Sequence, residues 1–312
     1  MDPAEVAEVA AVAAVHVAGN PMKTPTSPWS IGRLTALLSL IFLAAGAVAA
    51  APPVPKTDAA TLRLIDAAIA GEHRSAKSKA RDVYRHPRET LQFFGLRKDM
   101  SIVEIAPGGG WYTDILAPVV KDHGHYVAAL APPASTDAED AASTKAIKKK
   151  FADHAAVLGT LNIASFGSQA IDLAPEGTVD MVVTFRNLHN WMGGGWADKA
   201  IAAMYKALKP GGILGIEEHR GNSAVAQDPK ADSGYVNEDH AIKLFEAAGF
   251  KLVGNSEINA NPKDTKDYKE GVWTLPPTLT LGEKDKDKYA AIGESDRFTL
   301  KFQKPPAVSK PK

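Results

Sequence analysis

From residue 101 onward the chain alternates between short apolar runs and longer stretches whose apolar positions recur with helical spacing. The short runs predict strands at 101–106, 125–130, 161–165 (the weakest), 179–184, 212–217, 251–258 and 297–303. The longer stretches predict helices at 111–120, 144–155, 196–208 and 237–248, the last opened by Asn237 as an N-cap and stopped by Gly249. Ahead of this alternation, Leu62, Ile65 and Ile69 share one face of a helix that begins after Thr57 and ends at Gly71. A second short helix runs through residues 88–94, with Pro87 in its first turn and Gly95 closing it. Strand–helix alternation of this kind predicts a doubly wound α/β domain, with a mostly parallel sheet covered on both faces. Residues 259–295, rich in Lys, Asp and Pro, read as an insertion before the final strand.

The N-terminal pattern is different. Residues 34–50 form an uncharged apolar run preceded by Lys23 and Arg33 and closed by small residues, the order found in a secretory signal. Ala47-Val48-Ala49 offers a cleavage site after Ala49, and Pro52, Pro53 and Pro55 then open a linker. Asp2, Glu5 and Glu8 are misplaced for a signal, so residues 1–21 read as an upstream extension and Met22 as the better start. The alternative is an uncleaved anchor in the inner membrane, although the run falls short of the roughly 20 residues that span a bilayer. The expected organisation is extension and signal over 1–50, linker and helix over 51–74, main domain over 75–305 and a tail over 306–312. Export to the periplasm or beyond is expected, with no stable membrane insertion once the signal is removed.

Composition narrows the partners. With 45% hydrophobic residues among 312, the chain can bury one sizeable core. Its 36 Lys and Arg balance 36 Asp and Glu, so the positive excess that neutralises phosphates is absent and no nucleic-acid partner is expected. Lys145 and the run Lys148-Lys149-Lys150 read as a solvated helix face. The lack of cysteine excludes disulfides, thiolate nucleophiles and Cys-ligated metals. His123 and His125 have no further ligand pattern around them, so no metal is assigned. Nothing in the pattern sets an oligomeric state.

The strongest local motif runs from Ile102 to Trp111, an apolar strand entering a glycine turn and then a helix. Such a turn lies at the carboxyl edge of a doubly wound sheet, where ligands bind, and glycines let a ligand approach the backbone. A dinucleotide fingerprint needs Gly or Ala where Thr113 stands, which counts against a nicotinamide dehydrogenase.

Glu104-Ile105-Ala106-Pro107-Gly108-Gly109-Gly110 resembles the first motif of the class I S-adenosylmethionine-dependent methyltransferases, with Ala106 in place of that motif's first glycine. Leu208-Lys209-Pro210-Gly211-Gly212 resembles the turn before their fifth strand, and Val179-Asp180-Met181-Val182-Val183 their fourth strand. Tyr84-Arg85-His86-Pro87, Arg186-Asn187-Leu188-His189-Asn190-Trp191 and Asp232-Ser233-Gly234-Tyr235 are similar to segments of a group of exported bacterial predicted methyltransferases. The resemblance implies a seven-stranded Rossmann-like sheet and S-adenosylmethionine as methyl donor. It implies donor contacts at Glu104, Ala106, Pro107, Gly108, Gly109 and Gly110, with Arg186 and Asn187 beyond the fourth strand. The acid that usually ends the second strand and holds the ribose is missing: that stretch reads Ala128-Ala129-Leu130-Ala131, and Asp137 is the nearest later acid.

Methyl transfer is an in-line displacement that needs positioning, and a base only if the acceptor carries a proton. His189 and His219 are the candidate bases, each just past a strand. Trp191, Tyr235 and His86 are candidate contacts to a small-molecule substrate. Trp191 and Trp196 bracket Gly193-Gly194-Gly195, which reads either as a covering loop or as packing for the next helix. Tyr84, Arg85 and His86 read either as a lid or as an anchor for the N-terminal helices. Beside methyl transfer stands a second expectation, a non-catalytic or repurposed binding protein of the cell envelope. Its motives are Ala106, the Ala129-Leu130 strand end and export away from the compartment that makes the donor.

Overall fold

Asp58 starts the first helix: its carboxylate accepts the Thr61 amide at 2.8 Å and the Thr61 hydroxyl at 3.0 Å, satisfying an N-terminal donor. That helix, α1 (Ala59–Ala70), opens the computed structural model, which describes residues 53–306. The extension, the signal and its cleavage site, and residues 307–312 of the tail lie outside the described residues. No helix among the described residues is long and apolar enough to cross a membrane.

Three short helices follow, α2 (Ala76–Lys79), α3 (Asp82–Arg85) and α4 (Pro87–Phe94), the last with Pro87 in its first turn and Gly95 at φ 83° closing it. The alternation then runs β1 (Ser101–Ile105), α5 (Thr113–Val120), β2 (His125–Leu130), α6 (Ala138–Asp153), α7 (Ala155–Leu158), β3 (Asn162–Phe166), β4 (Ile171–Asp172) and β5 (Val179–Phe185). After β5 come α8 (Leu188–Gly193), α9 (Ala197–Ala207), β6 (Leu208–His219), α10 (Glu238–Ala247) and β7 (Lys251–Ser256). A 3-10 turn (Gly271–Thr274), α11 (Lys286–Ile292) and β8 (Arg297–Gln303) complete the described chain.

The strands form one sheet in the order β4-β3-β2-β1-β5-β6-β8-β7. Neighbours from β3 to β6 run parallel, while β8 lies antiparallel between β6 and β7. This is the Rossmann-like methyltransferase fold, with one strand more than the seven expected. The addition is β4, which pairs antiparallel through Ser165–Asp172 and Phe166–Ile171 and is too short to show an alternating pattern. Helix α6 begins six residues ahead of the expected start at 144. Asp137 caps it by accepting the amides of Glu139 at 2.8 Å and Asp140 at 3.1 Å. Its first turns carry no apolar stripe, so periodicity could not mark them.

Both sheet faces are buried, as parallel strands require. On one face Val103, Ile105, Val182 and Ile216 pack with α8, α9 and α10; on the other Ile102, Met181, Val183 and Ile213 pack with α1, α4 and α5. The strand order reverses between β1 and β5, and the crevice at their carboxyl ends is where such folds take ligands.

Candidate functional site

At the end of β1 the chain turns sharply. The Ala106 amide donates to the Ala129 carbonyl at 2.9 Å, and then Ala106, Gly108 and Gly110 adopt φ of 45°, 56° and 75°. Ala106 therefore occupies a left-handed conformation that glycine takes freely, at a strain of roughly 1–2 kcal/mol. A Cβ built on Gly108 or Gly109 meets nothing within 4 Å, so the turn presents bare backbone to open space. Gly110 faces the other way, where a Cβ would come within 2.8 Å of Ile147 and of Lys150 on α6.

This turn forms one wall of a cavity of about 760 Å³, within the range that holds cofactor-sized ligands. The opposite wall comes from the ends of β5 and β6: Arg186, Asn187, His189 and His219. Asn187 ties the two walls together, donating through Nδ2 to the Ile105 carbonyl at 3.1 Å and to Thr184 Oγ1 at 3.1 Å. Arg81 and Arg85 from the N-terminal helices, and Trp273 from the 259–295 insertion, close the remaining side.

His189 is 6% exposed and its Nδ1 donates to Glu218 Oε1 at 3.0 Å, while Glu218 also accepts the amides of His189 at 3.3 Å and His219 at 2.8 Å. The carboxylate fixes the His189 tautomer and leaves Nε2 as the acceptor. His219 sits 5.4 Å from His189, ring centre to ring centre, with its Nδ1 at 2.6 Å from Ser295 Oγ. Burial pushes the His219 imidazole well below its usual pKa, and His189, Arg297, Arg186 and Arg85 push the same way. The two histidines therefore sit differently: His219 resists a proton and pairs with a serine hydroxyl, whereas the His189 ring is oriented by a carboxylate. His189, Glu218 and His219 also offer three ligand atoms within 4.8 Å of one another, a grouping that no spacing in the sequence marks. The guanidinium groups that depress His219 also oppose a second cation there.

Glu104 lies apart from the large cavity. It is 2% exposed, accepts the Tyr126 hydroxyl at 2.5 Å and the Thr113 hydroxyl at 2.8 Å, and lines only a pocket of about 30 Å³ with Tyr112 and Phe185. Burial pushes its carboxyl up to about 7, against an ordinary 4.5. The unfolded chain loses this proton near 4.5 and the folded chain only near 7, so Glu104 favours folding at low pH and progressively less between those values. Denaturant unfolding is expected to show wild type losing a few kcal/mol relative to Glu104→Gln across that window, on the order of 1.4 kcal/mol for each step of one in pH. Equal slopes for the two proteins would refute the assignment.

Of the expected donor contacts, Ala106, Pro107, Gly108, Gly109, Arg186 and Asn187 line the cavity, while Glu104 and Gly110 support the turn from behind. The three expected substrate contacts lie off the lining. Trp191 is 2% exposed on α8, which ends at Gly193, and packs edge-on against Phe166 with ring centres 5.3 Å apart, the packing alternative rather than the covering loop. Tyr235 donates its hydroxyl to Asp264 at 2.9 Å, and His86 Nδ1 lies 3.2 Å from Asn259 Oδ1 at the junction of α3 and α4. Asp137 is spent on its helix cap, and Glu139 beside it lines the cavity instead. Arg81 and Trp273 had no local signal beyond a charge or ring in a short turn, and Glu139 none beyond a charge near a helix start.

No protein-family model matches the sequence, and no curated protein does. Among solved structures the chain is similar to a candidate sarcosine dimethylglycine methyltransferase from Galdieria sulphuraria, with 11% identity over 75% of this chain and 88% of that one and a TM-score of 0.50. It is also similar to a SAM-dependent methyltransferase from Aquifex aeolicus, with 17% identity over 72% of this chain and 93% of that one and a TM-score of 0.49. A third similar structure is the cyclase SpnF, at 16% identity over 82% and 99% and a TM-score of 0.49. At these identities the likeness is one of fold.

Proposed function

We propose that the protein transfers a methyl group from S-adenosylmethionine to a small-molecule acceptor that gives up a proton, after export through its N-terminal signal. The observation that carries the reading is the cavity itself: a bare glycine turn on one wall faces a carboxylate-oriented histidine on the other.

The residues suit the donor. Gly108 and Gly109 leave room for a ligand against the backbone, and Glu139 supplies a carboxylate on the same wall, where the second strand ends in Ala129 and Leu130 without one. When bound, S-adenosylmethionine supplies an electrophilic methyl on a sulfonium. His189 Nε2 would take the proton that the acceptor gives up as its electron pair is methylated, because Glu218 holds the ring by Nδ1 and leaves Nε2 free to accept. Glu218 shares the charge that forms on His189. Trp273, whose ring centre is 6.0 Å from that of His189, covers this end from the insertion and limits water.

Titration calorimetry of the protein with S-adenosylhomocysteine tests the reading, with binding expected in the micromolar range. Gly109→Val puts a branched side chain into the open space beside the turn, so it is expected to weaken that binding by about tenfold or more, roughly 1.4 kcal/mol, with little change in melting temperature. No heat and no thermal shift at millimolar ligand would end the methyltransferase reading. It would favour the envelope binding protein, which the capped Asp137 and the acid-free second strand support; mass spectrometry of co-purified ligand would then identify what it holds.

A further inference from the structure

The wall around Arg186 holds more positive charge than its own carboxylates neutralise. Arg81, Arg85, Arg186 and Arg297 all line the cavity, and two buried glutamates, Glu217 and Glu294, stand behind them. Glu294 accepts from Arg81 Nε at 2.5 Å, from Arg85 Nε at 3.1 Å and from Arg297 Nη2. Glu217 accepts from Arg186 Nη1 at 2.7 Å and has Arg297 Nη1 at 3.4 Å. Four guanidinium groups thus share two carboxylates. Lys150, which also lines the cavity, is matched separately by Asp114 at 2.6 Å.

Donors remain over. Arg81 Nη2 is buried without a partner. Arg85, with its side chain 5% exposed, donates only through Nε among the described residues, and its guanidinium lies 4.7 Å over the Trp111 ring, which holds the plane but uses none of its N–H groups. A buried guanidinium fork with unused donors is the geometry that accepts a carboxylate or phosphate in two parallel bonds.

Resting on the methyltransferase reading, we infer that the acceptor is an oxyanionic small molecule, a carboxylate or a phosphate, whose acidic group docks on Arg81, Arg85 and Arg186 while its reactive end faces His189. The donor's own carboxylate is the rival anion for these arginines. They lie toward the N-terminal helices and the end of β5, and the glycine turn ends β1.

The test is calorimetry on the full chain saturated with S-adenosylhomocysteine, titrated with benzoate, with its neutral counterpart benzamide and with inorganic phosphate. Benzoate or phosphate is expected to bind, more weakly as salt rises, and benzamide about tenfold or more weaker than benzoate. Which of benzoate and phosphate binds tighter separates a carboxylate acceptor from a phosphorylated one. Arg81→Gln is expected to weaken the anion by about tenfold and to leave S-adenosylhomocysteine unchanged, and the wild-type comparison stands even if that variant misfolds. Equal affinity for benzoate and benzamide, or no anion binding, would overturn the proposal. Anion binding to the chain alone but not to the chain saturated with S-adenosylhomocysteine would assign the arginines to the donor's carboxylate, overturning the proposal while leaving methyl transfer intact. Failure of S-adenosylhomocysteine itself to bind would remove both.

Discussion

Replacing Glu294 by glutamine is expected to destabilise the protein by about 3–5 kcal/mol at neutral pH, the usual loss when one partner of a buried ion pair is removed. Glu294 is 2% exposed and collects guanidinium groups from α3, from the residue before it and from β8, so it binds the N-terminal helices to the last strand. Without its charge, Arg81, Arg85 and Arg297 would have only Glu217 nearby, already matched by Arg186. Burial alone would raise the Glu294 carboxyl, but Arg297, Arg85 and Arg81 outweigh it and hold it well below the usual carboxylate range. Its folded pKa is thus depressed, so its contribution is complete above the unfolded value near 4.5 and shrinks as pH falls below it. Denaturant melts of wild type and variant should therefore differ most at neutral pH and converge in acid. A difference within about 1 kcal/mol at neutral pH would show that the cluster does not depend on this charge.

That cluster also marks the limit of what the sequence could reveal. The turn after β1 was legible because everything that makes it is local: an apolar strand, glycines with positive φ and a helix follow one another within ten residues. The sheet was legible for the same reason, since β2 and β8 fall at the residues the apolar runs predict. The arginine wall joins Arg81, Arg85 and Arg186 to Glu217, Glu294 and Arg297, and the Arg81–Glu294 pair spans 213 positions. No spacing rule connects such residues; only the folded sheet order does, by placing β8 beside β6 and the N-terminal helices over its end. His189 and His219 were visible as residues after strands, yet their difference rests on Glu218 and on the arginines, which a single sequence does not place. Trp191 and the three glycines after it left a covering loop and helix packing both open, and the structure takes the packing: Leu188, Trp191 and Met192 are buried on a short helix.

On the proposed methyltransferase reading, the Glu218 bond to His189 and the burial of His219 favour His189 as the base. His189→Gln is expected to lower the rate of methyl transfer by about 10²–10⁴, the span typical for loss of a general base, with S-adenosylhomocysteine affinity unchanged. His219→Gln is expected to have the smaller effect, because burial first, and then His189, Arg297, Arg186 and Arg85, already make His219 a poor proton acceptor. Label released from radiolabelled S-adenosylmethionine into a small-molecule extract of the host gives the rates, and calorimetry gives the affinities. A loss in rate without a loss in donor binding places His189 at the transferring step, whereas parallel losses would mean that it only shapes the donor pocket. Glu218→Gln sharpens the outcome. Its single amide oxygen can keep the bonds on the Oε1 side, from the His219 amide and His189 Nδ1, while the bond to the His189 amide and the negative charge beside the ring are lost. If Glu218 acts through His189, the double variant should be no slower than His189→Gln alone, since two groups serving one proton transfer are not additive. Additive losses would separate the two residues and return His219 as the base.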